Sequence, residues 1–296
     1  MSRWLIIGAN GQVGKHLNSV LQSYPIDNLA LLAVGRESVD ITHTKAVKSL
    51  INDFQPTIVI NAAAYTNVEQ AEHHPEVAEK TNVKGVQNLA EATAQIGACL
   101  IHLSSDYVFD GQLKQPYHEE DLTNPLNQYG KTKLAGELIV KSINPRHIIL
   151  RTSWVFSEQG HNFVKTILRL AKEKETLQIV ADQIGAPTYA GDIAQVLVQI
   201  ALQIQEGRED VFGLYHFSGF PYISWYLFAQ FILAQTQQQK ILSKLPTLLP
   251  ISSKEYASIV KRPLNTCLAM DKIKRTFAIE PSDWQKALVK LHPYIE

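Results

Sequence analysis

Hydrophobic and polar residues alternate in blocks along the first half of the chain. Trp4–Ile7 is a short apolar run closed by Gly8, and Val13 to Leu21 follows with apolar residues at helical spacing. Leu29–Val34 is a second apolar run, and Lys45 to Phe54 reads as a second helix. Thr57–Asn61 is a third run, closed by Ala62, Ala63 and Ala64. Pro75 to Ile96 is helical, Ala98–Ser104 a fourth strand, Tyr129 to Lys141 a helix and His147–Thr152 a further strand. Apolar strands separated by helices belong to a parallel sheet buried on both faces, because each crossover lays a helix over the sheet. Right-handed crossovers then wind the sheet doubly. The predicted class is α/β.

Beyond Arg151 the alternation weakens. Asn162 to Lys174 and Gly191 to Gln205 read as helices, interrupted by Pro- and Gly-bearing segments such as Gly185-Ala186-Pro187-Thr188 and Phe220-Pro221. Leu245 through Pro250 reads as a loop or linker. No repeat, heptad run or low-complexity tract stands out. The expected organisation is a nucleotide-binding domain over residues 1–152. Residues 153–296 form a smaller, mainly substrate-binding part, with some helices packing back on the first domain.

The 28 basic residues balance the 28 acidic ones, so nothing in the net charge suggests a nucleic-acid partner. Cys99 and Cys267 are far apart, in no metal-ligand spacing, and suit a reducing compartment. His73-His74 reads as a solvated helix surface, and no zinc-ligand pattern occurs. The apolar run at Trp4 is too short for a signal peptide, and Ile223 to Ala234, the longest apolar stretch, is too short to span a bilayer. The expectation is a soluble, cytoplasmic protein with neither membrane nor nucleic acid as partner.

The turn after the first strand reads Gly8-Ala9-Asn10-Gly11-Gln12-Val13-Gly14. Glycine at every third position allows a sharp turn, close approach to a pyrophosphate and tight helix–sheet packing, and the helix N-terminus presents free N–H groups to the anion. Gly8, Asn10, Gly11, Gln12, Val13 and Gly14 are therefore cofactor-binding candidates on a Rossmann fold. The spacing is GxxGxxG, which differs from the simplest dinucleotide fingerprint. About twenty residues further on, where a carboxylate would favour NAD, stand Gly35-Arg36. An arginine there can accept a 2′-phosphate, so NADPH is the expected cofactor with NADH as the alternative, although Arg36 also reads as an ordinary surface residue. Asp40 and Ile41 are expected near the adenine.

The fourth strand ends in Ser104-Ser105-Asp106-Tyr107, and Tyr129-Gly130-Lys131-Thr132-Lys133 opens the next helix. Tyr129 and Lys133 share one helix face. A free phenol titrates near 10 and is a poor acid–base at neutral pH unless a neighbour stabilises its phenolate. The Lys133 ammonium can do so and can also hold the nicotinamide ribose. The Ser105 hydroxyl, aimed at a carbonyl oxygen, completes a charge-stabilising set. Ser105, Tyr129 and Lys133 are the catalytic candidates.

Here the chain resembles the extended short-chain dehydrogenase/reductases, and within them the dTDP-4-dehydrorhamnose reductase family. The matching stretches are GANGQVG (8–14), NAAAYTNV (61–68), LSSDYVFDG (103–111), PLNQYGKTKLAGE (125–137), RTSWVF (151–156), Asn162-Phe163, DQIGAPT (182–188) and RPLN (262–265). They run from the start of the chain to near its end. The resemblance implies NADPH-dependent reduction of the 4-keto group of dTDP-6-deoxy-L-lyxo-4-hexulose, with Tyr129 as proton donor and Ser105 polarising the carbonyl. It places Ala62, Ala63, Ala64 and Thr66 beside the cofactor. Asp106, Tyr107, Trp154 and Asn162 fall in the substrate set, and Arg262 and Asn265 at the nucleotide end. Trp154 alone also reads as a core residue, and Asp182-Gln183 as a turn.

Ser105 stands where the family usually has threonine, which preserves the hydroxyl. Some members bind magnesium across a dimer interface through glutamates at positions that here carry His16 and Gly191. No metal is therefore expected, and a homodimer, if formed, does not use that bridge. Dehydratases of the superfamily follow the Ser or Thr with Asp-Glu, whereas here Tyr107 follows Asp106, which removes the base that chemistry needs. An epimerase or a reductase of another nucleotide-linked keto-sugar stays open. So does a non-catalytic role like that of the regulatory subunit of methionine adenosyltransferase.

Overall fold

A computed structural model describes residues 2–23 and 26–295. Strand β1 (Ser2–Ile7) leads into helix α1 (Gln12–Ser23), then β2 (Leu29–Val34), the helix Thr44–Phe54, β3 (Ile58–Asn61), β4 (Cys99–Ser105), the helix Gln128–Ile143 and β5 (His147–Thr152). Each expected strand of this half is present, Leu29–Val34 and His147–Thr152 with the expected bounds and the others with ends shifted by one or two residues. The sheet is parallel, and β1 lies between β2 and β3 while β4 and β5 continue outward from β3. Chain direction across the sheet thus reverses at β1, which opens a crevice at the carboxyl ends of β1 and β3.

Strand residues alternate between the two faces. Trp4 and Ile6 pack with Val13, Leu17 and Leu21 of α1 and with Ile193, Leu197 and Ile200. Leu5 and Ile7 pack on the opposite face with Val47, Ile51, Leu89 and Val140. Nearly all of these side chains are buried, each worth roughly 1.5–3 kcal/mol. Both faces are covered, as apolar strands require.

The chain returns to this core after Arg151. Helix Ala190–Gln205 packs along α1, and Gly213–His216 adds a sixth strand beside β5. That strand is only four residues long and carries no alternating signature. The remaining C-terminal residues build a third core of Phe156, Val164, Ile167, Phe228, Ile232 and Trp284.

Two expectations need correction. Leu245 through Pro250 is not simply a linker, because Thr247–Ile251 is a strand paired with Thr176–Val180. Pro75 to Ile96 is not one regular helix: a six-residue π-helical turn, Lys80–Gly85, interrupts it. The apolar stretch from Ile223 comprises the strand Ile223–Ser224 and the start of the helix Trp225–Gln238, which buries Phe228, Ala229, Ile232 and Leu233 on one face.

Candidate active site

The turn after β1 is built around Gly8, whose φ of +86° suits glycine. A Cβ there would lie 2.6 Å from the Ala63 nitrogen, so the glycine turn and the Ala62–Ala64 loop meet in direct contact. Gly8 and Ala9 both donate their N–H to Val34 O at 3.0 Å, which ties the turn to β2. The first N–H groups of α1 then face outward without intrahelical partners. A cleft of about 240 Å³ opens here, lined by Gly8, Asn10, Gly11, Arg36, Asp40, Ile41 and Ala62–Ala64, among others. A cleft of that lining, at a helix N-terminus, fits a dinucleotide's phosphates.

Tyr65, Thr81 and Glu37 also line the cleft, and of these only Tyr65 stood in a motif, the 61–68 stretch. Asn10 donates to Glu37 Oε2 at 2.9 Å, and the largely exposed Arg36 stands 3.6 Å from Asp40 Oδ2. Gln12 turns away: its Oε1 accepts from Ser157 Oγ and Asn162 Nδ2, each at 3.0 Å, which joins the phosphate turn to the C-terminal part. Thr66 is exposed at the far end of the alanine loop.

Two buried amides shape this loop. Asn61 accepts the Ala63 N–H at 3.1 Å and contacts His102 Nδ1 at 3.0 Å. Asn82, on the π-helical turn, accepts the Tyr65 N–H at 2.8 Å and donates to Tyr65 O and Thr132 Oγ1, each at 3.0 Å. It clamps the cofactor loop to the helix that carries Tyr129 and Lys133. Local π geometry of this kind concentrates at functional sites.

Ser105 ends β4 and caps the short turn Asp106–Val108, accepting the Tyr107 N–H at 3.2 Å. Its own hydroxyl donates to Asp106 Oδ1 at 2.9 Å. The Gln128–Ile143 helix starts at Asn127, whose side-chain Oδ1 accepts the Gly130 N–H at 2.8 Å and whose Nδ2 donates to Lys261 O. Tyr129 is thereby in the first turn, its ring 5.8 Å from that of Tyr107 in an edge-on arrangement. Gly130 is required for this approach, since a Cβ would stand 2.2 Å from Tyr107 O. Lys133 is buried one turn on and donates from Nζ to Leu103 O at 2.7 Å.

The electrostatics differ from the expectation that Lys133 would pull the phenol down. Burial pushes the Tyr129 hydroxyl up to about 12, against a smaller opposing effect of its hydrogen bond with Ser105. Burial also brings the Lys133 ammonium down to about 8, partly offset by Glu137. Without cofactor the phenol keeps its proton, the state a proton donor needs. Asp106 is buried, and desolvation raises its carboxyl to about 7 despite the hydrogen bond from Ser105.

The remaining candidates are distributed around this centre. Trp154 has a φ of +43° and stacks on Trp225 with ring centroids 3.4 Å apart. A non-glycine residue held there is strained, as is common at ligand clamps. Arg262 donates to Ser258 Oγ at 2.7 Å and to Glu69 Oε1 at 3.1 Å, and its charge lies beside the Tyr107 phenol. Asn162 caps the Phe163–Glu173 helix and is held by Gln12 and Ser157 rather than beside Ser105. Asn265 donates to Leu113 O and Gln115 O and accepts the Cys267 N–H, so it pins the 113–117 segment.

The two positions where some members carry magnesium-binding glutamates are filled differently here. His16 Nε2 stands 3.3 Å from Glu158 Oε1, and Gly191 offers no side-chain ligand. Among the described residues no group of three His, Cys, Asp or Glu could hold a metal ion, whereas magnesium prefers an octahedral oxygen set. Among the same residues no helix is long and apolar enough to cross a membrane.

Residues 2–294 match the family model described as the RmlD substrate binding domain. The chain is 48% identical over its full length, and the relative's full length, to a dTDP-4-dehydrorhamnose reductase of Aggregatibacter actinomycetemcomitans. It is 42% identical to one from Sinorhizobium fredii, over 98% of this chain and 96% of the relative. Among solved structures, a dTDP-4-dehydrorhamnose reductase of Bacillus anthracis in complex with NADP superposes with a TM-score of 0.87 at 35% identity, covering 97% of this chain and 98% of that one. On this evidence the chain belongs to the dTDP-4-dehydrorhamnose reductase family.

Proposed function

We propose that this chain reduces the 4-keto group of dTDP-4-dehydro-L-rhamnose (dTDP-6-deoxy-L-lyxo-4-hexulose) to give dTDP-L-rhamnose, using NADPH. The observation that carries the reading is the junction of Ser105, Tyr129 and Lys133 at the carboxyl end of β4, beside the dinucleotide cleft. Bound in that cleft, NADPH supplies the hydride that the keto carbon accepts. Gly8, Asn10 and Gly11 hold its phosphates, Arg36 reads the 2′-phosphate, and Ala62–Ala64 wall the cleft.

Tyr129 donates its proton to the keto oxygen as that oxygen gains charge, and regains one from solvent after product leaves. Burial keeps the phenol protonated until then. Ser105 polarises the same oxygen. Lys133, anchored to Leu103 O, holds the cofactor ribose. Asp106, Tyr107 and Trp154 face the sugar, and Arg262 the diphosphate. Asn162 and Asn265 support the substrate part from behind, a region that spans mainly residues 153–296. The Ser–Tyr–Lys set favours turnover over a purely regulatory role, and Tyr107 after Asp106 disfavours a dehydratase. The protein works in the cytoplasm on a small-molecule nucleotide sugar, and any homodimer forms without a magnesium bridge.

Replacing Tyr129 by Phe tests the proton donor. The expected result is loss of turnover by at least a hundredfold with NADPH binding retained. Strong residual turnover would overturn the assignment.

A further inference from the structure

The proton of the Ser105 hydroxyl is committed in the arrangement described above. It points at Asp106 Oδ1, 2.9 Å away. One of the hydroxyl's lone pairs takes the Tyr107 N–H at 3.2 Å, and the other is left to accept. While Asp106 is a carboxylate, it can only accept, and Ser105 has no proton left with which to polarise a carbonyl.

We propose that Asp106 is a positioning residue that must be protonated for turnover: as a neutral acid it donates to Ser105 Oγ, and this turns the serine proton toward the substrate's keto oxygen. The inference rests on the reading of Ser105 as the carbonyl-polarising group. No proton is consumed at Asp106, which carries the same one before and after each turnover.

The surroundings support the neutral form. Asp106 is 3% exposed, and its Oδ2 is buried without a hydrogen-bond partner. The Thr266 hydroxyl and the backbone N–H groups of the turn favour the carboxylate, but their effect is smaller than that of burial. An unpartnered oxygen is tolerated far better as the carbonyl of a neutral acid than as half of a carboxylate. The titratable groups around it are the Tyr107 phenol on its own turn, the Tyr129 phenol on the neighbouring helix and the Cys267 thiol on the segment after Arg262. The Arg262 guanidinium acts on Tyr107, and Lys133 is held at Leu103 O. Among the described residues none forms an ion pair with Asp106, and desolvation leaves its carboxyl at about 7.

The test is kcat at saturating NADPH and keto-sugar from pH 5.5 to 9.5, for wild type, Asp106→Asn, Asp106→Leu and Ser105→Ala. Wild type is expected to lose about tenfold per pH unit above a midpoint near 7. In Asp106→Asn, whose amide donates to Ser105 at every pH, the first fall should come near 8, where Lys133 titrates. Asp106→Leu, neutral but unable to donate, should show the same later midpoint at a lower rate. Unchanged midpoints in both Asp106 variants, or absence of turnover at every pH in variants that still bind NADPH, would overturn the proposal. Ser105→Ala separates the two levels. A drop of a hundredfold or more at pH 6 supports the serine's role. Wild-type turnover in Ser105→Ala would remove that role, and this proposal with it. Loss in Ser105→Ala together with an unchanged Asp106→Asn midpoint would remove this proposal alone.

Discussion

Glu137 and Arg151 join the catalytic helix to the strand beside it through two parallel hydrogen bonds, Arg151 Nε to Glu137 Oε1 at 2.8 Å and Nη2 to Oε2 at 2.7 Å. Both side chains are buried, the Glu137 carboxylate also accepts from Ser104, and the guanidinium lies over the Phe109 ring. The pair therefore fixes the helix bearing Tyr129 and Lys133 against the ends of β4 and β5. Removing one partner leaves the other charged, buried and alone. Glu137→Gln is expected to destabilise the fold by about 3 kcal/mol, and replacing both residues by apolar ones of similar size should cost less than either single change. Thermal or denaturant unfolding of the three variants checks this. A single variant as stable as wild type would show the pair to be dispensable.

Gly130→Ala places a methyl group where Tyr107 O now stands. The turn carrying Ser105 and Asp106 has to move, so kcat should fall by about a hundredfold, since displacements near 1 Å at a reacting centre cost that much. NADPH affinity, set on the far side at Gly8 and Ala62–Ala64, should change little. Fluorescence titration of the cofactor beside steady-state rates distinguishes the two effects, and an undisturbed kcat would contradict the packing argument.

Arg36 is largely exposed at the mouth of the cleft, paired only with Asp40. Its contribution to holding a 2′-phosphate is screened by water, so Arg36→Ala should lower the NADPH-to-NADH ratio of kcat/KM by about fivefold to tenfold, equivalent to roughly 1 kcal/mol. An unchanged ratio would mean that Arg36 does not read the phosphate. Glu37, bonded to Asn10 in the same cleft, would then be the next residue to replace.

Stability should depend on pH at both ends of the range. His102 and His216 are buried, and desolvation holds both imidazoles well below their usual value. The unfolded chain binds protons at these sites below about pH 6.5 while the native one does not, so stability falls as pH drops through that value. Asp106 has the opposite sign. Its raised carboxyl contributes stability that is full below about pH 4 and lost as pH rises through 7. Asp106→Asn should thus gain up to about 4 kcal/mol relative to wild type at pH 8.5, more than a third of that at pH 5 and little below pH 4. Urea unfolding at three pH values measures both slopes. Equal stability of wild type and Asp106→Asn at pH 8.5 would contradict the buried-carboxyl argument.

Much of this architecture is written in short-range pattern. Trp4–Ile7 is apolar throughout because the sheet is covered on both faces there, and that is legible without coordinates. The motif residues Gly8, Ser105, Tyr129 and Lys133 likewise announce their chemistry through type and spacing. The strand Gly213–His216 and the pairing of Thr247–Ile251 with Thr176–Val180 depend on partners distant in the chain, which no local periodicity encodes. The same holds for buried polar contacts. Asn82 gripping Tyr65 and Thr132, or Glu137 holding Arg151, are consequences of where three elements meet. Asn162 and Asn265 stood in matching motifs, yet their amides are committed to Gln12, Ser157 and the 113–115 carbonyls.

The most direct measurement is NADPH oxidation by the purified protein with dTDP-4-keto-6-deoxy-glucose and the epimerase that inverts it, the product identified by mass and sugar stereochemistry. The account predicts stoichiometric NADPH consumption and dTDP-L-rhamnose that forms only when this protein is present. NADPH that binds without being consumed, or a product of other stereochemistry at the reduced carbon, would contradict it.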